Sequence, residues 1–351
     1  MNSHGPDILE EHDPEAESPF EAETAEEDLW FLPGPPEDEP PHLPPLPRAE
    51  PGEASLVIEW VSAQADLAKE LAQTAVRFGA LDDRLQRGPE GWRHRLALQE
   101  ASALSWLSGE RVTADRLGLW QAMRVGATGG DTAALQRAAW AVRRLSSQAG
   151  PQSDLAGFLG RHDVDGSDPL SDRIAGWQAV METAGALHPL ARACFALTLW
   201  PRAGIGPEGS VLEGAVVAAR LGAEAGFGGA RFLPLPLGSA LDLRTSGPVR
   251  HRLGLWLRQV DQALLSAMRQ LDRLEAWEAE AESRTAVLSG RTPPLLLLAL
   301  RDWPLLTASM AEGQTGASRA AVQRNLAWFH AAGLVQEVTG HGRFRVWRAA
   351  I

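Results

Sequence analysis

The stretch SRAAVQRNLAWFHAAGLVQEVTGHGRFRVW, Ser318–Trp347, decides the fold predicted for the C-terminal part of the chain. Val322, Leu326 and Phe329 follow one another at spacings of four and three residues, which places them on one side of an α-helix. Apart from Trp328, the other positions of the helix are small or polar. The pattern therefore predicts a helix over residues 319–332 with one side in a core.

Turn and strand signals flank this helix. Ser318 is a favoured N-cap residue, and Gly333 is a favoured C-terminal stop. Leu334-Val335 begin a strand, Gly340-His341-Gly342 predict a hairpin turn, and residues 343–347 return as a second strand. The segment thus reads as a helix followed by a β-hairpin.

Two further helices precede it. Thr292-Pro293-Pro294 is a helix-start signal, and Pro304 ends the apolar helix that follows it. Thr307 can cap a second, short helix, which we expect to end at Gly313. The segment GQTGAS then forms the turn into the third helix.

The side of the third helix opposite its core residues carries groups that suit a nucleic acid. Ala320 and Arg324 point away from the core, Gln323 lies on the flank, and Ser318 and Arg319 lie at the N-terminal end. A recognition helix keeps its base-reading and phosphate-binding groups in these places. Arginine suits a guanine edge, glutamine suits an adenine edge, and alanine permits close approach.

The returning strand adds a second set of arginines. Alternation places Phe344 and Val346 inward and Arg343 and Arg345 outward, as a phosphate-binding wing requires. These elements resemble the bacterial winged helix-turn-helix domain over about 60 residues, and the resemblance implies binding to double-stranded DNA. The alternatives are a small helical domain with a solvated arginine face and a winged helix that contacts proteins. The candidate DNA-binding residues are Ser318, Arg319, Ala320, Gln323, Arg324, His341, Arg343 and Arg345.

Charge is distributed unevenly along the chain, whose formal net charge is −12. Residues 1–55 carry 16 acidic residues and one basic residue, whereas residues 290–351 carry seven arginines and three acidic residues. The middle is nearly neutral. The acidity therefore belongs to one end, and a basic C-terminal domain is compatible with the overall balance.

The acidic N-terminal segment, residues 1–53, is expected to be disordered because it holds half of the 24 prolines and repelling acidic clusters. Four apolar residues, Leu29-Trp30-Phe31-Leu32, interrupt it. They are a motif for a partner or a segment that packs on the protein's own body, and we favour the second. A third hypothesis is that the acidic segment competes with DNA for the basic C-terminus.

No signal peptide and no membrane-spanning run is evident in the sequence. A single cysteine, Cys194, excludes an intrachain disulfide framework. We therefore expect a cytoplasmic protein without a membrane partner.

The middle of the chain, residues 54–289, has apolar residues at spacings of three and four, which predicts an all-α body. One helix runs from Leu56 to Phe78 and ends at Gly79, and a second covers Trp92–Leu107. Later helices begin at Thr113, at Asp131, near Asp168, after His188-Pro189, near Glu208 and at Val249. Nine tryptophans at helical spacing are expected in the core, and residues 226–248 have no predicted structure.

The layout of a helical body followed by a winged helix resembles Fic-family proteins. EASALSWLSG, residues 100–109, is similar to the inhibitory helix of that family, but Ser108 stands where a glutamate is usual. LHPLARACFALTLW, residues 187–200, is similar to the active-site segment and keeps His188-Pro189. The magnesium-binding acidic residue and the Gly-Asn-Gly turn are missing, so we interpret the body as a degenerate Fic domain and His188 as a turn residue.

A second resemblance spans most of the chain. WFLPGP, LDDRL, GPEGWRHRLAL, WAVRRL and EVTGHGRFRVW are similar to segments of a bacterial, often plasmid-borne, family of helix-turn-helix proteins with a domain of unknown function. This resemblance implies regulation through DNA.

The sequence as a whole predicts an all-α protein: a helical Fic-like body and a C-terminal winged helix-turn-helix domain at residues 290–351. We expect a transcriptional regulator or another replicon-associated DNA-binding protein, with no catalytic residues, no cofactor and no metal. A homodimer is left open. The alternatives are a Fic-type AMP transferase with an unusual site and a non-catalytic protein-interaction scaffold.

Overall fold

The computed structural model describes residues 53–123, 131–161, 169–206, 211–235, 247–340 and 345–351. These residues are mostly helical, as predicted, with thirteen α-helices and one small sheet of three strands. The acidic segment 1–52, with its Trp30-Phe31 motif, lies outside the described residues. The helices of the body are α1 (Glu53–Asp66), α2 (Ala68–Arg87), α3 (Glu90–Leu107), α4 (Ala114–Met123), α5 (Thr132–Ser146), α6 (Leu155–Leu159), α7 (Pro169–Thr183), α8 (Pro189–Ala203), α9 (Leu212–Gly222) and α10 (Val249–Thr285).

The C-terminal elements are three helices and three short strands. Their order is α11 (Thr292–Asp302), β1 (Leu306–Thr307), α12 (Ala308–Thr315), α13 (Arg319–Ala331), β2 (Val335–Glu337) and β3 (Val346–Ala349). The sheet has β3 at its centre, paired antiparallel with β1 and with β2. The strand β1, formed by two residues, is an element that the sequence analysis does not predict.

The first predicted helix is two helices, and the predicted stop at Gly79 is wrong. α1 ends at Asp66, buried Leu67 forms the junction, and α2 continues through Gly79 to Arg87. The residues that α2 buries, among them Phe78 and Leu81, recur past the glycine, so packing holds the helix there. A glycine inside a helix costs about 1 kcal/mol, which this burial offsets.

Helix starts are predicted well where a side chain caps them. Thr113, Thr307 and Ser318 accept hydrogen bonds from the N–H groups three residues later, at 3.3, 3.1 and 3.4 Å. The predicted end of α12 is wrong: the helix passes Gly313 and stops at Gly316. Gly316 has φ +63°, a left-handed conformation that glycine adopts without strain, and its N–H bonds to a carbonyl of the last turn.

The tryptophan prediction holds for most of the body. Of the nine tryptophans in residues 54–289, Trp140 is half-buried and Trp106 is 53% exposed, so the core assignment is wrong for Trp106. Its indole N–H donates to the carbonyl of Val112 at 3.2 Å, and the Arg111 guanidinium lies 6.0 Å from its ring. The other seven are buried: Trp60, Trp92, Trp120, Trp177, Trp200, Trp256 and Trp277.

Residues 226–235 form a series of bends that buried groups hold against the body. The carboxylate of Asp82, which is 0% exposed, accepts hydrogen bonds from the N–H groups of Phe227 at 2.8 Å and Ala230 at 2.6 Å. A side chain at Gly229 would place its Cβ 1.9 Å from the carbonyl oxygen of Asp82. The loop therefore needs glycine at this close approach.

The C-terminal elements and the helical body form one compact unit, Pro51–Ile351. Arg95 of α3 donates to the carbonyls of Arg301 and Trp303, both at 2.8 Å, and also to that of Leu300. These carbonyls end α11, where a helix leaves its last acceptors unpaired. A cation from the body thus caps the first C-terminal helix.

Two further contacts join the same parts. The indole N–H of Trp277 in α10 donates to the carbonyl of Leu334 at 2.8 Å, just after α13. Arg348 in β3 pairs with Asp115 in α4 at 2.6 Å. Within the described residues, no helix is both long enough and apolar enough to cross a bilayer.

Glu100 in α3 is a fully buried carboxyl group. Its Oε1 accepts from the N–H of Leu235 at 2.9 Å, and its Oε2 has no hydrogen-bond partner among the described residues. Burial raises the pKa of Glu100 to about 8, against the lowering effect of the Leu235 hydrogen bond. The folded protein therefore holds this group protonated at neutral pH.

We predict that Glu100→Gln removes a pH dependence of stability. Between the ordinary pKa of 4.5 and the raised pKa of about 8, folding takes up a proton at Glu100. Stability from this group therefore falls as the pH rises, by at most about 1.4 kcal/mol per pH unit. Urea unfolding from pH 5 to pH 8 should show a shallower slope for Glu100→Gln than for the parent.

The matched control is Glu59→Gln, which changes an exposed carboxylate on α1 and should leave the slope as in the parent. Equal slopes for the Glu100→Gln variant and the parent would show that Glu100 is ionised in the folded protein.

Candidate nucleic-acid interface

α13 forms where predicted and buries the predicted side. Val322, Leu326 and Phe329 are 0%, 1% and 0% exposed. Ser318 caps the helix through its hydroxyl, and Gly333 follows its end with φ +73°. The helix is thus fixed in rotation about its axis, which decides which side chains face solvent.

The opposite side of α13 is exposed along the whole helix. Ala320, Gln323 and Arg324 are exposed, and the same side continues through Ala327 and Ala331. Alanine leaves the helix backbone close to the surface, so a partner can approach it closely. The structure therefore brings these three predicted residues together on one face.

The arginines of α13 differ in their partners. Arg319 is 67% exposed, and its Nε lies 3.5 Å from Oε1 of Glu312 in α12. Arg324 is exposed and has no acidic partner among the described residues. The Glu312 side chain is 32% exposed, and the Oε1 that faces Arg319 has no hydrogen-bond partner among the described residues. A single long ion pair thus holds Arg319.

Arg345, the residue before β3, places a further positive charge on the hairpin. Its side chain is 52% exposed, and its Nε lies 3.6 Å from Oε2 of Glu337 in β2. Val346 is buried, as predicted, but Trp347 is buried as well, so burial does not alternate along β3. The other predicted residues of the hairpin, His341 and Arg343, lie outside the described residues.

Sequence reasoning misses the carboxylates that accompany these arginines. Glu312 and Glu337 each pair with a candidate DNA-binding residue from another element. The pair of Glu337 with Arg345 could have been predicted from the hairpin. In the register Glu337 lies opposite Trp347, and hence near Arg345. The helix-to-helix pair depends on how α12 packs on α13, for which the sequence has no local signal.

His188 acts as a helix cap. Its Nδ1 accepts from the N–H of Leu190 at 3.2 Å at the start of α8, and its backbone N–H donates to Oε1 of Gln64 at 2.7 Å. Burial lowers the pKa of His188, which favours the neutral imidazole that this acceptor role needs. Arg192, one turn later, pairs with Glu224. Among the described residues, no group of three His, Cys, Asp or Glu side chains could hold a metal ion.

No protein-family model matches this chain, and no curated protein is similar enough to match it. The resemblances to Fic proteins and to plasmid-borne helix-turn-helix proteins therefore stay predictions.

We predict that His188 has a structural role that asparagine can replace. Asparagine is a good N-cap residue, so His188→Asn should retain stability, whereas His188→Ala should lose about 0.5–2 kcal/mol in urea unfolding. ATP with magnesium should not raise the melting temperature of the parent, and labelled AMP should not be transferred to protein. AMP transfer that both variants abolish would instead show that His188 is a general base.

Proposed function

We propose that residues 290–351 bind double-stranded DNA as a winged helix, with α13 as the recognition helix. The protein would then act as a transcriptional regulator or in another replicon-associated role. The order α11, β1, α12, α13, β2, β3 resembles that domain. The observation that carries the proposal is the exposed face of Ala320, Gln323 and Arg324 on a capped helix whose other side is committed to the core.

The exposed face of α13 suits a major groove. Recognition helices contact base edges through residues near their N-terminus, and Ala320, Gln323 and Arg324 lie in the first half of α13. Arg324, which has no acidic partner among the described residues, is the side chain best placed for a bidentate contact with guanine. Gln323 has the donor and acceptor pair that suits adenine.

The flanking arginines suit phosphates. Arg319 and Arg345 are exposed, and each has one long contact with a carboxylate, at 3.5 and 3.6 Å. A phosphate oxygen can compete with these carboxylates, because the ion pairs are long and each arginine side chain is more than half exposed. Contacts of this kind set affinity and orientation and make binding depend on salt, while base contacts set specificity.

We predict different effects for two arginine variants. Arg324→Ala should reduce the discrimination between a genomic site and random DNA, because a lost bidentate base contact costs about 1–3 kcal/mol. Arg345→Ala should weaken binding to all sequences and lower the salt slope by about one. The site is first recovered by sequencing the DNA that the purified protein retains from a fragmented genomic pool. Fluorescence anisotropy at several salt concentrations then measures both effects.

Arg87→Ala is the matched control. Arg87 on α2 is 76% exposed and pairs with one carboxylate, Asp83, as Arg345 pairs with Glu337. This variant should bind DNA as the parent does. If Arg324→Ala and Arg345→Ala also behave as the parent, the arginines form a solvated face, and the protein-interaction alternative replaces DNA binding.

A further inference from the structure

A cavity of about 590 Å³ lies in the body between α7, α8 and α9. Its volume falls in the range of small-molecule sites, about 300–1,000 Å³. Trp177 and Met181 of α7 and Leu221 of α9 supply apolar surface. Sites of this kind combine apolar walls with a few polar groups that select the ligand. The polar groups of the lining therefore indicate what the cavity can take.

The cationic group of the lining is already neutralised. Arg192 of α8 pairs with the carboxylate of Glu224, and the side-chain amide of Gln152 donates to the same carboxylate. Arg192 lines the cavity and is 19% exposed, and its charge is paired with Glu224. An anionic ligand would have to displace Glu224 and leave that carboxylate without its cation.

An acidic group of the lining is not neutralised. Glu182 of α7 lines the cavity, is exposed, and has no cationic partner among the described residues. Gln178, one turn earlier, and Ser153 also line the cavity and add hydrogen-bonding groups. The lining therefore offers a carboxylate beside aromatic, thioether and aliphatic surface.

We propose that this cavity binds a small organic cation, an ammonium attached to an aromatic or aliphatic body. Glu182 pairs with the ammonium, while the apolar body lies against Met181, Leu221 and Trp177. A metal ion does not fit the lining, because hard cations need several oxygen ligands at once. Among the described residues, no cluster of three such side chains exists. The site lies in the helical body, and the proposal does not depend on DNA binding.

The test is isothermal titration of the full chain with three probes of one shape and different charge. Phenethylammonium should bind, phenethyl alcohol should bind more weakly, and phenylacetate should bind least. Glu182→Gln should weaken phenethylammonium on the order of fivefold and leave phenethyl alcohol unchanged, since the variant removes only the charge. Glu59→Gln, an exposed carboxylate on α1, is the control for a general charge effect.

A second pair of variants tests the place of binding. Gly185 lines the cavity, and a Cβ there would have no atom within 4 Å, so the side chain of Gly185→Phe starts in open space at the cavity wall. It should abolish binding of phenethylammonium. Gly176 on α7 is equally open but does not line the cavity, so Gly176→Phe should bind as the parent does.

Three results would overturn the proposal: no heat of binding with phenethylammonium, equal or tighter binding of phenylacetate, or unchanged binding in both Glu182→Gln and Gly185→Phe. Circular dichroism of each variant separates loss of binding from loss of folding. Loss of the ammonium site would leave the DNA-binding assays unaffected, so the two proposals fail separately.

Discussion

The partly buried guanidinium of Arg95 joins the helical body to the C-terminal elements. It reaches from α3 to the carbonyls that end α11, where the negative end of the helix dipole stabilises a cation. Burial lowers the pKa of Arg95 only to about 10, so the group stays charged at neutral pH. Beside it, Gly91 approaches Asp302 so closely that a Cβ would lie 2.0 Å from the carbonyl oxygen. The path of the chain after α11 depends on this contact.

The contact between α3 and the end of α11 also positions the elements that follow α11. β1 begins a few residues after α11, and α12 and α13 both pack on α11. Trp277, in the long helix α10 of the body, donates a hydrogen bond to Leu334, which follows α13. The exposed face of α13 therefore has a defined orientation relative to the helical body. The proposed DNA interface and the proposed ligand cavity thus belong to one compact unit.

The sequence predicts those parts of the fold that depend on neighbours in the chain. Caps such as Thr113 and Ser318, and the buried side of α13, follow from spacing and residue type alone. The predictions are wrong where contacts with distant parts of the chain determine the structure. α2 continues past Gly79 because its next turns are buried, and Trp106 is exposed at the end of α3. The two-residue strand β1 exists only because β3 returns beside it.

In the candidate interface, too, distant parts of the chain decide what the sequence cannot predict. The arginines of residues 290–351 differ in the carboxylates that pair with them. Arg301 lies between Glu278 and Asp302 at 22% exposure, and Arg348 is held by Asp115 and Gln336, so both are part of the packing. Arg319 and Arg345 have single loose partners, and Arg324 has none among the described residues. The sequence identifies arginines on the outer face but cannot rank them, because the partners come from other elements. Whether an arginine is held by a carboxylate is thus a property of the packed structure, and Arg324 is the one of these five that no described carboxylate holds.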